Sequence, residues 1–117
     1  MSFPWQNLTA LSDIDHIREA SFTAPQVIFK HSTRCNISSV ALRRFEAHTP
    51  ITGTAYHFLD LINYRPVSNA VAEVFNVYHE SPQVLLISKG ECIYDESHLG
   101  IQASELLEQL EGIAKNS

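Results

Sequence analysis

Residues 26–47 read QVIFKHSTRCNISSVALRRFEA, and the change of rhythm inside them decides the fold. Residues 26–30 form a compact apolar run bounded by Pro25, the pattern of a buried strand. From Asn36 the apolar residues recur at helical spacing, and Ile37, Val40, Ala41 and Phe45 predict one inward face running to about Ala47. A strand that passes directly into a helix is the opening of a βαβ unit. At the junction stands Cys35, one of only two cysteines in the chain.

The same alternation continues on both sides. WQNLTAL (residues 5–11) predicts a short edge strand. Ser12 followed by Asp15 matches a capping box, with acidic groups in the first turn of a short helix that carries Ile14 and Ile17 to about Ala20. TPITG (49–53) breaks the chain, and AYHFLDL (55–61) predicts a second core strand. Pro66 suits a helix start. Val67, Ala70, Val71, Val74 and Phe75 then form an apolar stripe. QVLLIS (83–88) and ECIYD (91–95) flank Lys89–Gly90, a hairpin with a two-residue turn in which Gly supplies positive φ. Ala103, Leu106, Leu107, Leu110 and Ile113 mark the last helix. The order is β-α-β-α-β-α-β-β-α, an α/β fold with a mixed central sheet layered between helices. The alternating units predict right-handed crossovers and a parallel centre, with the hairpin as an antiparallel edge. No repeat, linker or low-complexity tract intervenes, so residues 1–117 are read as one domain.

Bulk properties narrow the function. Hydrophobic residues make up 44% and charged residues 18% of the chain, which suits an ordinary folded core. The formal charge is −5, and no basic run exceeds Arg43–Arg44, so a nucleic-acid partner is not expected. No apolar run approaches the ~20 residues that span a bilayer, so no membrane role is expected either. The opening MSFPWQNLTA lacks a basic and then apolar leader pattern. With so few cysteines this predicts a cytoplasmic, reducing setting, in which a special cysteine is catalytic or redox-active rather than structural.

Cys35 is placed for such a role. The first N–H groups of a helix lack intrahelical partners and carry partial positive charge. A thiolate at the N-cap can accept from the N–H groups of Ile37 and Ser38, and Arg34 sets a full positive charge beside it. Such surroundings favour the thiolate, the nucleophilic form. The segment C-N-I-S puts Ser38 where a dithiol enzyme has its second cysteine. A hydroxyl can hydrogen-bond sulfur but cannot form a disulfide, so exchange stops at a mixed disulfide until an external thiol attacks. Alternatively, Cys35 is a small residue capping a helix and Ser38 an ordinary first-turn residue; C-x-x-S alone does not separate the two.

Together, VIFKHSTRCNIS and LDLINYRPVSNAVAEVFNVYHESPQVLLISKGECIYDESH resemble the YtxJ-type monothiol bacilliredoxin family of thioredoxin-fold proteins. The resemblance runs from about Trp5 to Leu110, and its most specific parts are F-K-H-S-T-R-C-x-I-S, Y-R-x-V-S-N and H-E-S-P-Q. It implies a three-layer thioredoxin-like fold in which Cys35 removes bacillithiol from S-thiolated client proteins and a second small-thiol molecule releases it. The small thiol, bacillithiol or an equivalent, is then a co-substrate, and no bound cofactor is implied. The family usually shows C-P-I-S; Asn36 here restores a backbone donor at the first helical position. The resemblance also implies a cis bond at Ser81–Pro82, with the Ser81 backbone as the edge on which a disulfide-linked chain docks.

Other residues group around this site by position. Lys30 and His31 lie at the strand end: Lys30 is a solvated side chain or binds a carboxylate of the small thiol, and His31 is a loop histidine or a proton-transfer partner. Arg65 precedes the third helix, where it meets anionic groups of the same ligand or is purely structural. Ser97 and His98 follow the hairpin, His79 reads as a surface residue, and Cys92 as a buried free cysteine that the topology keeps from Cys35. No metal site is expected, since the chain has no C-x-x-C or H-x-x-x-H pair. Two other functions remain open. One is a thioredoxin-fold adaptor that holds a peptide at Ser81–Pro82. The other is an iron–sulfur carrier like monothiol glutaredoxins, although the Gly–Phe dipeptide and Gly–Gly turn of those proteins are missing.

Overall fold

One five-stranded sheet carries the structure, and its strands are β1 (Trp5–Asn7), β2 (Gln26–His31), β3 (Ala55–Asp60), β4 (Gln83–Ser88) and β5 (Glu91–Ser97). The computed structural model describes residues 3–115. Between the strands run α1 (Leu11–Ala20), α2 (Asn36–Glu46) and α3 (Arg65–Val74). A 3-10 turn at His98–Gly100 leads into α4 (Ala103–Lys115). The strand order is β1-β3-β2-β4-β5, and β1, β3 and β2 are parallel. β4 runs antiparallel to β2 and to β5. The antiparallel half therefore begins at the sheet centre and is not confined to a hairpin edge. The reason lies in the path after β3: α3 leads away from the end of β3, and the segment between α3 and β4 brings the chain back to that same end before β4 begins.

β2 is buried at every position, as a central strand covered on both faces must be. Its side chains alternate between two cores. Val27 and Phe29 pack with Ala41 and Phe45 of α2 and with Leu106 and Leu110 of α4. Ile28 packs on the other face with Ile14 and Ile17 of α1 and with Val67, Val71 and Phe75 of the α3 segment. Each such fully buried side chain is worth roughly 1.5–3 kcal/mol. The two-core arrangement gives the three layers expected from the order of elements.

Local chemistry departs from expectation at three places. The α1 cap lies at Ala10, not Ser12, and Asp13 plays the part assigned to Asp15. Its carboxylate accepts from the N–H groups of Ala10 (3.0 Å) and Thr9 (3.1 Å). An alanine cannot return that bond, so only half of the box exists. In α2 the inward face is Ser38, Ala41 and Phe45, whereas Ile37 and Val40 are 43% and 37% exposed. The helix is turned because Ser38 is drawn under its first turn by polar partners. Val74, expected on the buried stripe of α3, is exposed as well.

The hairpin turn holds both Lys89 (φ 52°) and Gly90 (φ 82°) in the left-handed region, as a type I′ turn requires. Its backbone is docked on the end of α1. Lys89 N–H donates to Ser21 O at 3.0 Å, and Gly90 N–H donates to Ser21 Oγ at 2.8 Å. A Cβ at Gly90 would stand 2.9 Å from the tip of the exposed Phe22 ring, which would have to move aside; the need for glycine here comes from φ. Among the described residues no helix is long and apolar enough to cross a membrane.

One buried group makes the fold sensitive to acid. His57 on β3 donates from Nε2 to Gln26 Oε1 (2.7 Å), and burial pushes its pKa from 6.5 down to about 4 against an opposing pull from Asp13. The unfolded chain takes up this proton near pH 6.5 and the folded chain only near pH 4. Stability therefore falls as pH drops through that window, by at most about 3 kcal/mol from this group. Denaturant unfolding at pH 7 and pH 4.5 will show that slope, and it will flatten in His57→Gln. An equally steep slope in the variant would remove His57 as its source.

Candidate active site

The parallel strands β2 and β3 end, and the antiparallel β4 begins, at one end of the sheet, which is where open α/β sheets present their chemistry. His31 closes β2. The Cys35 N–H then donates to Ser32 O (3.2 Å), a tight turn that delivers the chain to α2. Cys35 is the N-cap of α2, with extended φ and ψ of −118° and 119°. Its carbonyl accepts from Ser39 N–H (3.2 Å), and its side chain is partly exposed. Its sulfur makes no cap hydrogen bond, so the expected bonds from Ile37 and Ser38 N–H are not formed. The first turn of α2 contains no acidic residue, which leaves the positive end of the helix uncompensated beside the sulfur.

Ser38 is fully buried, and its hydroxyl is already committed. It accepts from Ser32 N–H (3.0 Å) and shares a hydrogen bond with His31 Nδ1 (2.7 Å). Burial lowers the His31 pKa, against the charges of Asp60 and Glu46. Ser38 thus anchors the strand end and the helix start to each other. It points to His31 rather than to the Cys35 sulfur. Arg34 is exposed in the turn.

Across the strand end lies a second polar group. Lys30 is completely buried and donates from Nζ to His79 Nδ1 (3.3 Å). Burial pushes its pKa from 10.5 down to about 8. The same His79 Nδ1 is 3.4 Å from the buried Ser68 Oγ. Burial, then the charges of Lys30 and Arg65, hold the His79 pKa below its usual value. Arg65, the first residue of α3, is exposed.

The Ser81–Pro82 bond is cis. Pro82 O accepts from His98 N–H (2.9 Å), and His98 Nε2 lies 3.2 Å from Glu80 Oε2. Gln83 ties the segment down from inside, donating to Tyr78 O (3.0 Å) and accepting from Glu80 N–H (3.4 Å). Ser81 enters none of the loop hydrogen bonds through its backbone, and its buried Oγ has no partner. Ser97 pairs with Gln83 in the β4–β5 ladder. All the sequence-predicted site residues therefore gather at this end of the sheet: Lys30, His31, Arg34, Cys35, Ser38, Arg65, Ser81 and Pro82. Sequence reasoning missed Ser68, Gln83 and the contact that His79 makes with Lys30. No local pattern marks them, because each acts on a residue from a different element.

Cys92 stands at the far end. It pairs with Ile87, which pairs with Gln26 at the start of β2, and its Sγ donates to Tyr94 O (3.3 Å). Burial pushes its pKa up to about 11. Cys35 lies beyond the other end of β2, roughly 17 Å along the strand, and a disulfide needs Cα atoms within about 7 Å. Cys35 is the only cysteine at its end of the sheet.

Such a site can attack a disulfide and hold the product as a mixed disulfide. Comparisons with known proteins agree. A solved structure described as having a thioredoxin fold is 26% identical, with a TM-score of 0.79 over 90% of this chain and 92% of that one. Thioredoxin of Malassezia sympodialis (14% identity, TM-score 0.72, 96% of this chain and 93% of that one) shares the fold. So does thioredoxin of Fasciola hepatica (13% identity, TM-score 0.71, 92% and 97%). The family model described as monothiol bacilliredoxin BrxC matches residues 6–106. A partly exposed cysteine at the head of α2, a serine three residues on and a cis-proline across the strand end fit that match, and the chain belongs to the monothiol bacilliredoxin family of thiol oxidoreductases.

Proposed function

We propose that the protein removes a bacillithiol-type small thiol from S-thiolated client proteins by single-cysteine exchange at Cys35. The Cys35 thiolate attacks the small-thiol sulfur of the client mixed disulfide. A Cys35–small-thiol disulfide forms, the client–small-thiol bond breaks, and the client sulfur leaves as a thiolate that takes a proton from solvent. A second small thiol, as its thiolate, then attacks the captured sulfur, giving the symmetrical small-thiol disulfide and free Cys35. The observation that carries this reading is the partly exposed Cys35 at the head of α2 with no second cysteine at that end of the sheet. Arg34 adds positive charge beside the reacting sulfur, and the unpaired Ser81 backbone is an edge on which the client chain can add as a strand. The reading places the protein in the cytoplasm, where a small thiol is kept reduced.

Trapping tests it. Mixed with an S-thiolated client in the absence of free thiol, the protein will gain the mass of one small thiol on the peptide containing Cys35, and an equal amount of client will be freed. Added small thiol will then remove the mass. Transfer to Cys92, or no transfer, would sink the reading.

A further inference from the structure

Lys30 is a buried cation with no counter-anion. Lys30 is 0% exposed, and among the described residues no carboxylate lies within ion-pair distance of it. An ammonium has three N–H groups to place, and here its hydrogen-bond partner is a neutral imidazole nitrogen at 3.3 Å. At neutral pH it nevertheless carries its charge, since its pKa is about 8.

The surroundings are positive as well. Arg65 lies close enough for its charge to bear on His79. The amino end of α3 has no side-chain cap and no acidic residue in its first turn, and Ser68 brings a buried hydroxyl to the same imidazole. The nearby acid, Glu80, is held by His98. His79 lies against Lys30 from the segment between α3 and β4; as a residue it is exposed, while Lys30 and Ser68 are buried. It belongs to neither hydrophobic core, so a turn of its side chain would uncover Lys30 without disturbing one. The turn closed by Ser32 and Cys35 keeps the Lys30 and Cys35 Cα atoms within roughly 14 Å, a span that a small thiol and a lysine side chain can bridge together.

We propose that Lys30, Ser68 and Arg65 form a carboxylate subsite closed in the free protein by His79, and that it receives the carboxylate of the small thiol carried on Cys35. The inference rests on the exchange reading in naming the ligand, and its test separates the two. Cys35→Ser, which cannot exchange, is titrated with succinate while the His79 ring signals are followed by NMR. A saturable shift at His79 is expected. It will be weakened roughly tenfold or more by Lys30→Met and left alone by Lys89→Met, and succinate binding followed by calorimetry will be tighter in His79→Ala, which removes the cover. In turnover, Lys30→Met will raise the KM for mercaptosuccinate by a similar factor and leave that for 2-mercaptoethanol unchanged. An unmoved His79 signal, equal succinate binding by Lys30→Met, or equal KM changes for both thiols would overturn the subsite. Binding at His79 without turnover by any thiol would overturn the exchange reading instead.

Discussion

Turnover of an S-thiolated client is expected to fall by at least about a thousandfold when Cys35 is replaced by Ser, because the reaction loses its only nucleophile. The fold has no reason to suffer. The Cys35 side chain is partly exposed and makes no cap hydrogen bond, and serine is among the preferred N-cap residues. Its unfolding free energy should stay within about 0.5 kcal/mol of the parent. Cys92→Ala is the matched control and should keep turnover, since that thiol is at the opposite end of the sheet, with a pKa near 11. The assay is release of small thiol from a labelled client, with denaturant unfolding alongside. Retention of a tenth of the parent rate by Cys35→Ser would place the chemistry elsewhere.

The second large effect has the opposite sign. Lys30→Met is expected to stabilise the protein by about 3 kcal/mol at pH 7. The unfolded chain holds the Lys30 proton up to about pH 10.5 and the folded chain only up to about 8. Between those values the parent grows more stable as pH rises, and below them it bears the full cost of a buried charge. Methionine has similar length and no charge, so the advantage of the variant should be complete at pH 7 and gone near pH 10.5. Unfolding midpoints at pH 7 and pH 10 will measure it. A variant less stable than the parent at pH 7 would mean that the ammonium has an anionic partner in the folded state. A residue that weakens the fold and sits at the active end is the trade expected of a functional position.

The parts of this structure that could be read from the chain are those with local causes. The apolar run of β2, the helical spacing after Asn36 and the Lys89–Gly90 turn each depend on neighbours a few residues away, and they stand where they were expected. So does Cys35 as the N-cap. The α1 cap is ambiguous in the sequence because Ala10–Asp13 and Ser12–Asp15 have the same spacing; in the structure Asp13 accepts from the Thr9 and Ala10 N–H groups and the helix starts at Leu11. Ile37 and Val40 were assigned to the core because hydrophobicity alone was weighed, whereas two hydrogen bonds to Ser38 turn the helix the other way. The direction of β4 depends on how α3 crosses the sheet, which no short window records. The least legible feature is the pairing of Lys30 with His79, 49 residues apart; each looks like an ordinary polar residue until the fold joins them.

The placement of the two thiols at opposite ends of the sheet has a kinetic consequence. On the exchange reading, a molecule that has taken its cargo cannot reset itself. Its recovery is a bimolecular collision, so the rate law contains the concentration of reduced small thiol outside the protein. When that reservoir is full the cysteine is bare and ready; as it drains, molecules accumulate in the capped form. The ratio of capped to bare protein then gauges the reservoir that feeds it.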